Sequence, residues 1–140
     1  MKRTLFIIFI LSIFLLFNSC DTPLNEYQAK NEDEKQIIAL LNTFLEANNS
    51  GDLINLQKTF HDNGIYKSVR GGQVTKSQIT ETQPEWFTIA GKIELKNPEI
   101  KIAENEATVQ VKSKHGAHFT SSEIFTLIKE NNRWLIMKVE

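Results

Sequence analysis

Cysteine occurs once in these 140 residues, at Cys20, and proline only three times. One thiol cannot close a disulfide within the chain, so packing must stabilise the fold. No cluster of Lys and Arg is present either: 16 basic residues are scattered among 17 acidic ones. Nucleic acid needs a concentrated positive surface to displace its counterions, so it is not an expected partner. Nucleophile elbows, phosphate-binding glycine loops and the zinc-protease helix motif are absent, and Gly71-Gly72-Gln73-Val74-Thr75-Lys76 lacks the spacing of a phosphate loop. The leading apolar run, Leu5 to Phe17 with Ser12 inside it, is thirteen residues long. A bilayer-spanning helix needs about 20.

That run follows Lys2 and Arg3 and closes on Phe17-Asn18-Ser19-Cys20, the layout of a secretory signal. A cysteine directly after a small residue at the cleavage point resembles the lipobox of bacterial lipoproteins, in which the cysteine is acylated and becomes the new N-terminus. The resemblance implies a signal peptide over 1–19, lipid on Cys20, and an exported domain anchored to a bacterial membrane in the cell envelope. Ordinary secretion with a free thiol is the alternative. Losing Lys2 and Arg3, with no acid in the leader, takes the net charge from −1 to −3. What remains is enough for one domain.

Residues 20–33 are polar and nearly devoid of large apolar side chains, which predicts a flexible tether. From about Glu34, Ile37, Leu41, Phe44 and Leu45 recur at helical spacing, and Asn48-Asn49-Ser50-Gly51 ends the helix. A second helix carries Leu53, Ile54, Leu56 and Phe60 and stops at the turn cluster His61-Asp62-Asn63-Gly64. A small hairpin turns at Arg70-Gly71-Gly72. Thr75-Lys76-Ser77-Gln78 has capping-box spacing before a third, broken helix in which Pro84 opens the piece bearing Trp86 and Phe87. The last third reads as an antiparallel meander. Ile93 and Leu95 lie on one parity and Ile100 and Ile102 on the other, which places a bulge near Asn97-Pro98 in one long strand. The final hairpin is apolar on both parities: Phe125 and Leu127 against Ile124 and Ile128, then Trp134 and Ile136 against Leu135, Met137 and Val139. One face meets the helices and the other needs a cover, for which a homodimer through the sheet is the simplest solution.

Three segments, Gly51-Asp52-Leu53-Ile54-Asn55-Leu56, Phe60-His61-Asp62-Asn63-Gly64-Ile65-Tyr66 and Glu130-Asn131-Asn132-Arg133-Trp134-Leu135-Ile136, resemble the nuclear transport factor 2-like superfamily, chiefly its SnoaL-like and lumazine-binding-like branches. The resemblance spans 34–140. It implies an α+β, cystatin-like cone, with N-terminal helices packed on a curved antiparallel sheet and a mostly apolar pocket at the wide end. Isomerases, cyclases, carriers and domains without a known ligand share that fold, so function must come from the site.

An isomerase of this type needs a carboxylate base in a dry pocket and a tyrosine or protonated acid for the oxyanion, roles for which ketosteroid isomerase is the standing example. Ile37 to Leu45 holds no tyrosine in the place where that enzyme carries its donor. Asp62, with His61 and Tyr66 close in sequence, reads either as a base beside a phenol or as an acid capping a turn. Glu123 shares parity with Phe125 and Leu127, so it points into the cone or sits at a strand end in water. His115 and His118 flank Gly116, but zinc would need a third ligand; solvated turn histidines are the expectation, with no metal and no cofactor. Phe44, Phe60, Tyr66, Trp86, Phe87, Phe119, Phe125 and Trp134 are the expected pocket lining. The sequence therefore points to a lipid-anchored domain that holds a small apolar or aromatic ligand, or a protein partner, without catalysis. A small isomerase or cyclase using Asp62 or Glu123, and a structural interaction module, are the alternatives.

Overall fold

Asn31 starts the first long helix: its side chain accepts a hydrogen bond from the Glu34 amide at 2.8 Å, satisfying one of the orphan donors of the first turn. The computed structural model describes residues 21–67, 72–81, 92–117 and 119–140. Helix α1 runs Glu32–Ser50 and ends on Gly51, whose φ of 71° is the left-handed cap that glycine adopts without strain. Helix α2, Leu53–Lys58, is capped by Asp52, which accepts from the Asn55 amide. Strands β1 (Phe60–Lys67), β2 (Gln73–Thr75), β3 (Ile93–Ala103), β4 (Glu106–His115), β5 (Phe119–Glu130) and β6 (Arg133–Val139) form one sheet in the order β2-β1-β6-β5-β4-β3. The third-helix pattern begins as a 3₁₀ turn, Lys76–Gln78, with Gln78 Oε1 accepting from the Thr75 amide as the capping box predicts. Its continuation with Trp86 and Phe87, the turn at Arg70-Gly71, His118 and Cys20 lie outside the described residues.

The α+β architecture holds, with one difference in the sheet. β1 and β6 run parallel, while every other pairing is antiparallel. Phe60 does not finish α2 but opens β1, and His61-Asp62-Asn63-Gly64 is an excursion within that strand: Phe60 pairs with Ile136 and Ile65 with Lys138. Gly64 is needed there. A Cβ on it would come within 2.8 Å of two backbone oxygens, His61 O and Ile136 O. The β3 bulge appears where the parity switch predicts it, between Lys96 and Glu99, with Asn97 at φ 51°. Asn131 and Asn132, at φ 47° and 62°, make the two-residue β5–β6 turn whose twist suits a hairpin.

The core lies between α1 and the concave face. Phe44 of α1 packs edge-on against Phe125 at 5.2 Å and Phe60 at 6.1 Å, and Ile37, Leu41, Val109 and Ile136 are fully enclosed with them. Val139 joins this face rather than the outer one, because an extra residue in β6 around Met137 flips its parity: Thr126 pairs with Lys138 but Leu127 with Ile136. On the outer face Ile124, Ile128, Leu135 and Met137 stay partly exposed.

Polar composition predicts a flexible tether up to Asp33, but residues 21–31 are docked. Leu24 is 2% exposed, Pro23 bridges to Lys96, and Thr22 and Asn97 exchange hydrogen bonds: Thr22 N donates to Asn97 Oδ1 at 2.7 Å, and Asn97 N donates to Thr22 O at 2.8 Å. The β3 bulge turns the Asn97 main chain outward, and the N-terminal segment takes it. Further along, Tyr27 Oη and Lys30 N both donate to the buried Glu34 carboxylate.

Candidate functional site

Strand parity builds the interior of the cone. Ala107, Val109, Val111, Ser113 and His115 of β4 line it, facing Leu127, Phe125, Glu123, Ser121 and Phe119 of β5 in that order. The narrow half is apolar and closed; beyond the Val111–Glu123 pair the lining turns polar. The His115 ring folds back along its own strand so that Nε2 lies 2.9 Å from Ser113 Oγ and 2.8 Å from Glu123 Oε1. Ser113 is wholly buried, and the His115 and Glu123 side chains are 12% and 19% exposed. Both oxygens lie at one ring nitrogen, so an Nε2–H shared between them satisfies all three groups. Tyr66 of β1 stands on the same wall, 6% exposed and 6.0 Å from the Phe44 ring. Burial, helped by the charge of Glu123, raises its phenol well above the ordinary tyrosine range. At this end Asn49 pins α1 to β3, its amide donating to Ile93 O and accepting from Ile93 N, both at 2.8 Å.

A carboxylate, an imidazole, a hydroxyl and a phenol thus converge on one half-enclosed wall. Groups of these kinds can donate and accept hydrogen bonds at the edge of a small molecule, and a carboxylate hydrogen-bonded to an imidazole can hold or pass a proton. Among the described residues no group of three His, Cys, Asp or Glu is placed to hold a metal.

Of the residues the sequence singles out, Glu123 and Tyr66 meet here. Asp62 does not: its side chain is 90% exposed and bonded to Lys76 Nζ at 2.7 Å, a hydrogen bond that holds its carboxyl below the usual range. The β1 excursion carries it to the surface, so it cannot act as a base inside the cone. His61 is also outside the site. Its Nδ1 accepts from Asn63 N, leaving the proton on Nε2 to face Glu130 at the β5–β6 end. Phe44, Phe60 and Phe125 pack on one another with at most 1% exposure and fill the cone instead of walling a pocket. Trp134 is buried at the narrow end, where its Nε1–H donates to Asp33 beside Lys129. Phe119 has inner parity but is 63% exposed at the rim, 5.8 Å from the His115 ring. His115 is not a solvated turn residue; it ends β4 and faces inward. Ser113 goes unread in the sequence although the alternation Ala107, Val109, Val111 leads directly to it and to His115. An open groove of about 430 Å3 runs outside the cone between α1, α2 and the β5–β6 turn, past Leu40, Thr43, Lys58 and Arg133.

The sequence profile of one family, described as putative lumazine-binding, matches residues 32–139, the helices and all six strands. The chain belongs to that family. No curated protein matches this lumazine-binding-like chain in sequence. Solved structures do match in fold. A protein of unknown function with a cystatin-like fold from Nostoc punctiforme superposes with a TM-score of 0.66 at 15% identity, over 81% of this chain and 92% of its own. A nuclear transport factor 2-like protein from Novosphingobium aromaticivorans gives 0.66 at 20% identity, over 78% and 80%. Another from Cytophaga hutchinsonii gives 0.59 at 17%, over 78% and 95%. At such identities the likeness establishes the cone and nothing about its contents.

Proposed function

We propose that this domain binds a small flat heterocyclic molecule in the wide half of its cone without transforming it, and that it does so in the bacterial envelope, tethered by lipid on Cys20. The observation that carries the reading is the inward Ser113–His115–Glu123 set with Tyr66 beside it. Polar groups are costly on a face that could have been apolar, and here they stand where a ligand's ring nitrogens and carbonyls would meet them. The family's description favours a pteridine-like ring system, so lumazine is the natural first probe. Titration calorimetry with lumazine and related bicyclic heterocycles tests it: the wild type binds one equivalent, and Glu123→Gln and Ser113→Ala each weaken binding at least tenfold. Absence of heat with the whole series, and no small molecule retained in native mass spectrometry, would overturn the reading.

Glu123 hydrogen-bonded to an imidazole in a cone also favours a second reading, a small isomerase or cyclase in which that pair moves a proton. Turnover of a bound heterocycle by the wild type, lost in Glu123→Gln, would replace the binding-only reading. A homodimer over Ile124, Ile128, Leu135 and Met137 completes the proposal; sedimentation of the wild type against Ile124→Lys tests it, with a monomer for both removing it.

A further inference from the structure

We infer that the open groove outside the cone binds a small organic anion, a carboxylate or a phosphate ester with an apolar body, at a site separate from the polar wall. Helical spacing builds one side of the groove: Gln36, Ala39 and Leu40 stand at i, i+3 and i+4 of α1 and share a face. Lys58, at the end of α2, and Asn132 and Arg133, at the β5–β6 turn, supply the others. The volume of about 430 Å3 lies above the roughly 300 Å3 at which ligand pockets begin. Three elements meet around a space that admits a small molecule.

Charge decides what that space suits. Among the described residues no carboxylate lines the groove, whereas Lys58 and Arg133 both do. Acids in neighbouring turns are engaged elsewhere: Glu32 pairs with Lys35 at 3.7 Å, Asp33 with Lys129 at 2.6 Å, Asp52 accepts from Asn55, and Glu130 faces His61. Glu46, farther along α1, does not line the groove. Lys58 Nζ donates to Asn55 Oδ1 at 3.2 Å and keeps its other N–H groups, while among the described residues the Arg133 guanidinium has no hydrogen-bond or ion-pair partner. The Gln36 and Asn132 amides are uncommitted there as well. Four side chains thus keep donors for an incoming group, and carboxylate or phosphate oxygens answer them as acceptors with charge of the right sign. Arg133 can hold two such oxygens at once through its fork. Ala39 and Leu40 give an apolar body a surface to lie on. The chain as a whole carries a net charge of −1, so this lining is a local feature and no consequence of overall charge.

Titration calorimetry at low ionic strength, on the full chain in a non-ionic detergent, tests this with phenyl phosphate and benzoate as probes. One or both should bind one to one with a dissociation constant of about a millimolar or tighter, the strength that an open site permits. Arg133→Gln and Lys58→Met should each weaken that binding about tenfold, because each removes a charged donor. Glu123→Gln should leave it unchanged. Both cations are exposed, so the variants should melt with the wild type by circular dichroism, and the tighter probe assigns the oxyanion as phosphate ester or carboxylate. Silence of both probes at about 10 mM, or binding that survives Arg133→Gln combined with Lys58→Met, overturns the inference. Binding lost in Glu123→Gln but kept in both groove variants would place the anion in the cone and overturn it too, leaving the reading of the polar wall intact.

Discussion

Removing the imidazole from the cone tests whether the inward polar set is a coupled unit. In the native chain His115 Nε2 and Glu123 Oε1 are 2.8 Å apart with side chains 12% and 19% exposed. A hydrogen bond to a charged partner contributes about 1.5–3 kcal/mol net when enclosed. Here water reaches one side, so a coupling of about 1–2 kcal/mol is expected, above that of an exposed ion pair and below that of a fully buried one. His115→Gln should destabilise by about 1–3 kcal/mol, because Glu123 and the buried Ser113 hydroxyl both lose the ring nitrogen that they share. Glu123→Gln should cost less, since an amide oxygen still accepts from Nε2. The double variant should then be more stable than the sum of the two losses predicts by the coupling energy. Urea unfolding followed by tryptophan fluorescence at pH 7 on the 21–140 chain and its three variants measures all four corners. Strict additivity, within about 0.5 kcal/mol, would mean that the pair is a contact without energetic weight and would remove the physical basis for a preorganised polar wall.

Leu24→Ala leaves a cavity under the docked segment 21–31, a change worth about 2–5 kcal/mol in a closed core. Because that segment can peel off instead, the global loss should be about 2 kcal/mol, and the amides of Thr22 and Asn97 should lose hydrogen-exchange protection while those of β5 keep theirs; uniform protection would refute docking. Gly64→Ala pushes a methyl against two main-chain oxygens that cannot swing away, which should cost about 1–3 kcal/mol and lower Tm by about 4–12 °C. An unchanged Tm there would mean the β1–β6 crossing is looser than 2.8 Å contacts require. Tyr27 and Tyr66 are the two tyrosines, and burial raises both above the ordinary value near 10. A raised native value means the folded state holds the proton more tightly, so this stabilisation is complete below about pH 10 and declines as pH climbs past it. Phenolate absorbance should therefore stay low at pH 10 while circular dichroism is native; half-ionisation of either ring in the folded chain would contradict their enclosure.

Much of the architecture was legible because it rests on periodicity. Ile37, Leu41 and Phe44 fall on one helical face, and Asn97-Pro98 marks a bulge by switching parity; both follow from side chains alone. The misreadings share a different cause. His61-Asp62-Asn63-Gly64 has the composition of a turn, yet the excursion it makes is tied to β6, a strand some seventy residues away whose parallel pairing leaves no local trace. Val139 has the parity of Leu135 and Met137 until one extra residue in β6 reverses it, and nothing in Trp134-Leu135-Ile136-Met137 announces a bulge. Residues 21–33 look like a tether because composition counts side chains, whereas docking uses the main chain of Thr22, the bulged main chain of Asn97 and the single buried Leu24.

The site was half legible for a related reason. Glu123 is found by counting in twos from Phe125, and the same count from Val111 reaches Ser113 and His115. Reading His115-Gly116-Ala117 as a turn ends the count two residues early, although His115 still belongs to β4 and is the partner that holds Glu123. The two strands change character at the same level: Ala107, Val109 and Val111 give way to Ser113 and His115 on β4, just as Leu127 and Phe125 give way to Glu123 and Ser121 on β5. A strand selected only to close a core would continue its apolar series to the edge, since each inward polar group must be satisfied or carry a desolvation cost of about 1–3 kcal/mol. Here two neighbouring strands abandon the apolar series together, in register, and their polar groups satisfy one another. That coincidence marks the level at which the floor of Phe44, Phe60 and Phe125 gives way to a polar wall, and it is why the proposed ligand is placed in the wide half.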